Sequence, residues 1–281
     1  MSNIKNLERI ATQLRRDALR MVNSPKSGHP GGSLSSADLF AALFFEVMEH
    51  NPKDFTIDGK NQDLFFLSCG HLAPIWYSAL ARSGYFEISE LATLRKLGTR
   101  LQGHPTNADG LPGIRIASGS LGQGISVASG AALSKKMNND NKLVFVLTGD
   151  GELQEGQIWE ALMFATNHKI DNLIIIVDYN KKQIDGPIDE VIAMGNLKTK
   201  FEAFGCLTLE TQGNNLSELV SCLKEAKKQT GNKKPIAILM HTTMGKGVDF
   251  MENKHDWHGV APDDAQLKNA LSQLEETLGD Y

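Results

Sequence analysis

Apolar residues Ile4, Leu7, Ala11, Leu14, Ala18 and Met21 recur at steps of three and four, with charged residues between them. That spacing predicts one stripe of an amphipathic helix, which Pro25 ends just after Ser24. Beyond a glycine-rich turn at 27–33, Ser35 or Ser36 is placed to cap a helix through Leu39, Leu43, Phe44 and Met48. Residues 63–68 read as a short apolar strand, and a helix through Ile75, Leu80 and Tyr85 follows. Residues 97–119 hold Gly103, Pro105, Gly110, Pro112 and Gly113 and read as a long loop. A small-residue helix is predicted over 124–137. Strands are predicted over 143–147 and 173–177, the second a β-branched run of the kind buried on both faces. Further strands over 207–210 and 236–241 flank a helix over 217–229, and a last helix is predicted over 263–278 with Leu267, Leu271, Leu274 and Leu278 on one side. Trp159, Met163, Phe201 and Phe204 read as core.

Strands that alternate with helices predict an α/β fold with a doubly wound, mainly parallel sheet. No repeat, low-complexity tract or long linker divides the chain, so a single domain over 1–281 is expected.

The pattern places chemistry at two strand ends. Gly149-Asp150-Gly151 closes one strand, and Asp178-Tyr179-Asn180 closes the next, with Asp150 and Asn180 thirty positions apart. That separation fits one strand–helix–strand crossover, which brings both ends to the same edge of a parallel sheet. Open α/β sheets bind ligands at that edge. A carboxylate, an amide oxygen and a backbone carbonyl suit a hard cation that keeps phosphate oxygens as its other ligands. Glu152 and Glu155 add negative charge around the same turn. An Asp-Gly surface turn is the plainer reading, and Asn180 is what argues against it.

Gly119-Ser120-Leu121-Gly122-Gln123-Gly124 leads into a helix whose first amides face a possible phosphate, although the spacing differs from a dinucleotide fingerprint and close helix packing also explains the glycines. Of eight histidines, His29, His71, His104 and His258 each sit beside glycine or proline in a loop. Imidazoles gathered around a polar substrate move protons near neutral pH. His50, His168 and His241 lack that context and read as structural. The pair His255 and His258 lacks further ligands for zinc. Lys246 reads as a solvated loop lysine.

Composition narrows the class. A hydrophobic fraction of 41% and a net charge of −4 fit a globular enzyme and give no reason to expect nucleic-acid binding. Cys69, Cys206 and Cys222 are scattered, as expected in a reducing cytoplasm. No apolar stretch reaches transmembrane length, and mixed charge on the first helix's polar face favours packing over membrane binding.

Taken together the motifs resemble a known family. The segments SGHPGG at 27–32, SCGH at 68–71, QGHP at 102–105, GSLGQG at 119–124, GDGELQEG at 149–156, DYN at 178–180, IDG at 184–186 and WHG at 257–259 resemble, in order, the N-terminal diphosphate-binding half of transketolase. Tyr179 stands where a broader thiamine-enzyme motif often has Asn, and Ser120 where many transketolases have Pro.

The resemblance implies a thiamine diphosphate cofactor and a bound Mg²⁺ or Ca²⁺. It implies Asp150, Asn180 and the main-chain carbonyl of Lys182 as metal ligands. It implies His71, Gly119, Ser120, Leu121, Gly151, Asn180 and His258 as cofactor contacts. His29, His104 and His258 would hold sugar hydroxyls and move protons, and Glu155 would couple two active sites across a subunit interface. The pyrimidine-binding and C-terminal domains of that family do not occur in this chain, so the resemblance implies a partner subunit that supplies them, in an α2β2 heterotetramer. The implied reaction is transfer of a two-carbon ketol unit between sugar phosphates in the cytoplasm, as in pentose phosphate metabolism. Three other readings stay open: a split enzyme for a branched or sulfonated sugar, a 1-deoxyxylulose-5-phosphate synthase, and a cofactor-binding regulatory subunit without turnover.

Overall fold

A computed structural model describes residues 2–281. In chain order the helices are α1 (Ser2–Asn23), α2 (Pro30–Ser35), α3 (Ala37–Ala42), α4 (Ala73–Arg82), α5 (Gln123–Met137), α6 (Gly156–Asn167), α7 (Ile188–Val191), α8 (Leu197–Ala203), α9 (Leu216–Lys228) and α10 (Asp264–Gln273). The strands are β1 (Leu64–Leu67), β2 (Val144–Gly149), β3 (Leu173–Tyr179), β4 (Lys182–Gln183), β5 (Gly186–Pro187), β6 (Leu207–Gln212) and β7 (Ile236–His241). Five strands form one parallel sheet in the order β1-β2-β3-β7-β6, and β4 and β5 form a small antiparallel hairpin. This is the predicted doubly wound sheet.

Strand alternation divides the core between the two faces. Phe65, Leu67, Phe145, Leu147, Ile174, Ile176, Ile236 and Ile238 point to the face covered by α1, α3, α4 and α9. Leu64, Phe66, Val144, Val146, Leu173, Ile175, Val177, Ala237 and Leu239 point to the face covered by α5, α6 and α8. Both sets are buried, which is why β3 reads as an unbroken apolar run.

The register sets the functional edge. Leu67 pairs with Leu147, Gly149 with Asp178, and Tyr179 with His241. All these strands run parallel, so the segments after them meet on one side. The crossover from β2 through α6 to β3 therefore brings Asp150 and Asn180 together, as the spacing predicted.

Several expectations need correction. The helix expected after Ser36 does start at Ala37, but a short helix precedes it inside the glycine-rich turn, from Pro30, because Pro fits the first helical position. Ser36 makes no side-chain cap to α3, and the helix passes into a π turn over Leu43–Val47. The last helix ends at Gln273; Leu274 is extended and Leu278 is exposed. Met163 is exposed rather than core, whereas Phe201 is fully buried with Trp159 and Phe204 packed around it. Among the described residues no helix is long and apolar enough to cross a membrane.

Candidate active site

Two glycines let three loops converge at the sheet edge. At Gly124, in the first turn of α5, an added Cβ would lie 2.6 Å from the Ser68 Cα, so only glycine lets this helix start against the end of β1. Gly119 has φ +134°, and an added Cβ there would crowd the His104 ring at 3.1 Å.

Glu152 locks the arrangement. Its buried carboxylate accepts hydrogen bonds from the Ser68 hydroxyl, from the Gly122 amide at 2.8 Å and from the Gly149 amide at 3.0 Å. This corrects the expectation that Glu152 adds free negative charge for a cation: its oxygens are committed to joining β1, β2 and the loop before α5. Glu155 is exposed beside Gly122, at the rim.

A cleft of about 410 Å³ opens at this edge. His29, His71, His104, Gly119, Leu121, Asp150, Gly151, Glu155, Asn180, Lys182 and His258 all line it. Of the predicted residues only Ser120 stands off the lining, with an exposed side chain. The hairpin β4–β5 carries Ile184 and Asp185 over the same cleft.

Four imidazoles gather on one wall. The His29 ring lies 5.1 Å from His71, 5.8 Å from His258 and 6.2 Å from His104, and His71 lies 5.0 Å from His258. Burial, then the neighbouring His258, His104 and Arg95, pushes the His29 pKa down to about 4. Burial lowers His71 well below the usual value, lowers His104 together with Arg95, and lowers His258 against an opposing pull from Asp185. At neutral pH the wall is therefore a set of neutral donors and acceptors. The Nδ1 atoms of His29 and His258 are buried with no partner.

The same cleft carries two aspartates. Asp150 and Asp178 are both buried, with no basic side chain in ion-pair range among the described residues. Burial and then the charge of Asp178 hold Asp150 well above the usual carboxylate range. Asp150 accepts the amides of Gly151, at 2.8 Å, and Lys181. Asp178 accepts the Ser35 hydroxyl and the Asn180 amide at 2.9 Å each, and the Thr242 hydroxyl. The Asn180 Oδ1 accepts the Lys182 amide at 2.9 Å, which leaves it a second lone pair. Sequence reasoning named Asp178 only within a motif; its partners Ser35 and Thr242 lie far away in the chain, so spacing gave no signal for its part in aiming Asn180.

Two buried carboxylates without an ion-pair partner, beside an amide oxygen that keeps one lone pair, fit a hard divalent cation with few protein ligands. The partnerless imidazole nitrogens and the backbone of Gly119 and Gly151, which lines the cleft, fit a cofactor lying within it. No group of three or more His, Cys, Asp or Glu suited to a metal occurs among the described residues. His50 bonds Tyr85 and Phe44, and His241 bonds Glu210, which suits their structural reading.

The comparisons with known proteins agree with this geometry. Residues 7–277 match the family described as "Transketolase, thiamine diphosphate binding domain". The chain is 40% identical to the 6-deoxy-6-sulfo-D-fructose transketolase subunit SqwG of Clostridium sp. (strain MSTE9), covering 96% of this chain and 97% of that protein. It is 36% identical to one of the subunits of the apulose-4-phosphate transketolase of Actinobacillus succinogenes, covering 96% of each. Its fold superposes on the transketolase of Campylobacter jejuni with a TM-score of 0.88 and 35% identity, over 95% of this chain but 42% of that one. The chain thus spans less than half the length of that solved transketolase while matching the two separate subunits almost end to end. It belongs to the transketolase family, as the thiamine diphosphate-binding domain.

Proposed function

We propose that this chain is one subunit of a two-chain transketolase that moves a two-carbon ketol unit from a ketose to an aldose. The observation that carries the reading is the single cleft in which four neutral imidazoles face the Asp150–Asn180 edge. Residues 1–281 form its one domain, and a partner chain supplies the pyrimidine-binding and C-terminal domains in an α2β2 assembly of the cytoplasm.

The chemistry supplied by thiamine diphosphate, when bound, is stabilisation of negative charge at the donor's own carbonyl carbon. Asp150, Asn180 and the Lys182 carbonyl would hold Mg²⁺ against its diphosphate. His71, His258, Gly151 and the backbone of 119–121 would line its path. His29 and His104 bind and orient the donor hydroxyls. Being neutral, they accept or donate hydrogen bonds at those hydroxyls without bringing a charge into the cleft. His258, beside both His29 and His71, passes protons at the sugar oxygens. Glu155, exposed at the rim, is placed to reach a second subunit.

The sugar is read mainly elsewhere. Lys182 is the one Lys or Arg that lines the cleft among the described residues. A phosphate or sulfonate at the far end of the donor then falls to the partner chain. A second reading, a branched or sulfonated sugar in place of a pentose phosphate, is favoured by the near-complete coverage of the apulose-4-phosphate and sulfofructose subunits.

The test combines the chain with its co-encoded partner, thiamine diphosphate and Mg²⁺. Aldose release is followed with pentose, sulfo- and branched-ketose donors. Transfer by the pair with at least one donor, none by either chain alone, and a loss of about 10²-fold or more in His104→Ala are expected. Equal activity in that variant would remove the assigned role.

A further inference from the structure

We infer that a second cleft, at the opposite edge of the sheet, binds a small organic anion around Arg115. This cleft of about 510 Å³ lies between the 57–61 loop, the first residue of β1 and the C-terminal turns of α5. Its polar lining is Arg115, Lys60 and Lys135 with the amides Asn61, Asn138 and Asn139, against Asp58 and Asp140. Leu64, Phe66, Ile116, Val127 and Ala131 give it an apolar floor.

Arg115 is the reason to expect an anion. Its side chain is held over the Phe55 ring at 4.7 Å and the residue is only 8% exposed. Its Nη1 donates to the Gly113 carbonyl at 3.5 Å, a marginal contact, and its buried Nε has no acceptor. No carboxylate lies in ion-pair range of it among the described residues. The Phe55 ring and, from beyond ion-pair range, Asp58 are what offset its charge, which leaves a buried guanidinium short of hydrogen-bond acceptors. Such a group is retained where a ligand completes it. The neighbouring cation does not share this need, because Lys135 is already satisfied by Asp140 at 2.7 Å and by the Gly59 carbonyl at 3.1 Å.

The donor set defines the ligand class. A planar fork of N–H donors with amides nearby suits a phosphate monoester or a carboxylate. The apolar floor suits a small carbon skeleton attached to it. The same charge could come from a free metabolite or from an acidic side chain of the partner chain. We assign it to a free anion, because the cleft is a concave volume of ligand size rather than a flat face.

The experiment uses the complex of both chains saturated with thiamine diphosphate and Mg²⁺, so that the catalytic cleft is filled. Inorganic phosphate, then glycerol phosphate and acetate, are titrated while the arginine Nε–Hε resonances are followed by NMR. The Arg115 signal is identified by its absence in Arg115→Gln. That signal is expected to shift saturably with at least one phosphate probe, and calorimetry with the same probe should show at least tenfold weaker binding in Arg115→Lys. An Arg115 signal that ignores all three anions would overturn the proposal. So would a signal that responds in the isolated chain and becomes silent in the complex, since the partner would then cover the cleft. Arg115→Lys also lacks this Nε–Hε signal, so it supplies the assignment if Arg115→Gln fails to fold.

Discussion

The Glu152 carboxylate accepts the Gly122 amide at 2.8 Å, and the same side chain holds Ser68 and Gly149. One buried acid thus joins the ends of two strands to the loop that leads into α5. Burial raises its pKa, and these hydrogen bonds oppose the rise. Removing it leaves buried donors without acceptors. Glu152→Ala is expected to lower unfolding free energy by about 2–4 kcal/mol. Urea denaturation of the chain measures this, and a loss under about 0.5 kcal/mol would show that the clamp is dispensable.

The four-imidazole wall sets an acid limit on stability. The folded pKa of His29 is about 4, below the usual 6.5. Below pH 6.5 the unfolded chain therefore binds a proton that the folded chain refuses, so stability falls as pH drops. The lowered pKa values of His71, His104 and His258 act in the same direction. The thermal midpoint should decline from pH 6.5 to pH 4, and the slope should be shallower in His29→Asn. Parallel curves for the two proteins would contradict the low pKa.

Glu155 separates stability from function. It is exposed, so Glu155→Ala should change unfolding free energy by less than about 0.5 kcal/mol. If it reaches a second subunit, the same variant should lower transfer activity of the complex about tenfold or more, with the chain still folded. Unchanged activity at saturating partner would leave Glu155 a solvated rim residue.

Much of this architecture is legible from local patterns. The strand Ile236–His241 and the β-branched run of β3 follow from burial on both faces, which leaves a direct mark on sequence. The meeting of Asp150 and Asn180 follows from crossover length alone. What the sequence hides is long-range. Glu152 takes its partners from Ser68 and Gly122, 84 and 30 positions away, and so reads as one more surface acid. Met163 has a core residue's chemistry on an exposed face of α6. The end of α10 is hidden for the same reason: leucine spacing continues past Gln273, but the chain turns extended at Leu274 to lie back along α1, where Arg16 holds the Leu274 carbonyl.

The most direct measurement is calorimetric titration of the two-chain complex with thiamine diphosphate, with and without Mg²⁺, for the native chain and for Asp150→Ala. Saturable binding that needs Mg²⁺ and weakens about 10–100-fold in the variant is the predicted result. Equal affinity in both proteins, or binding indifferent to the metal, would contradict the assignment of the Asp150–Asn180 edge.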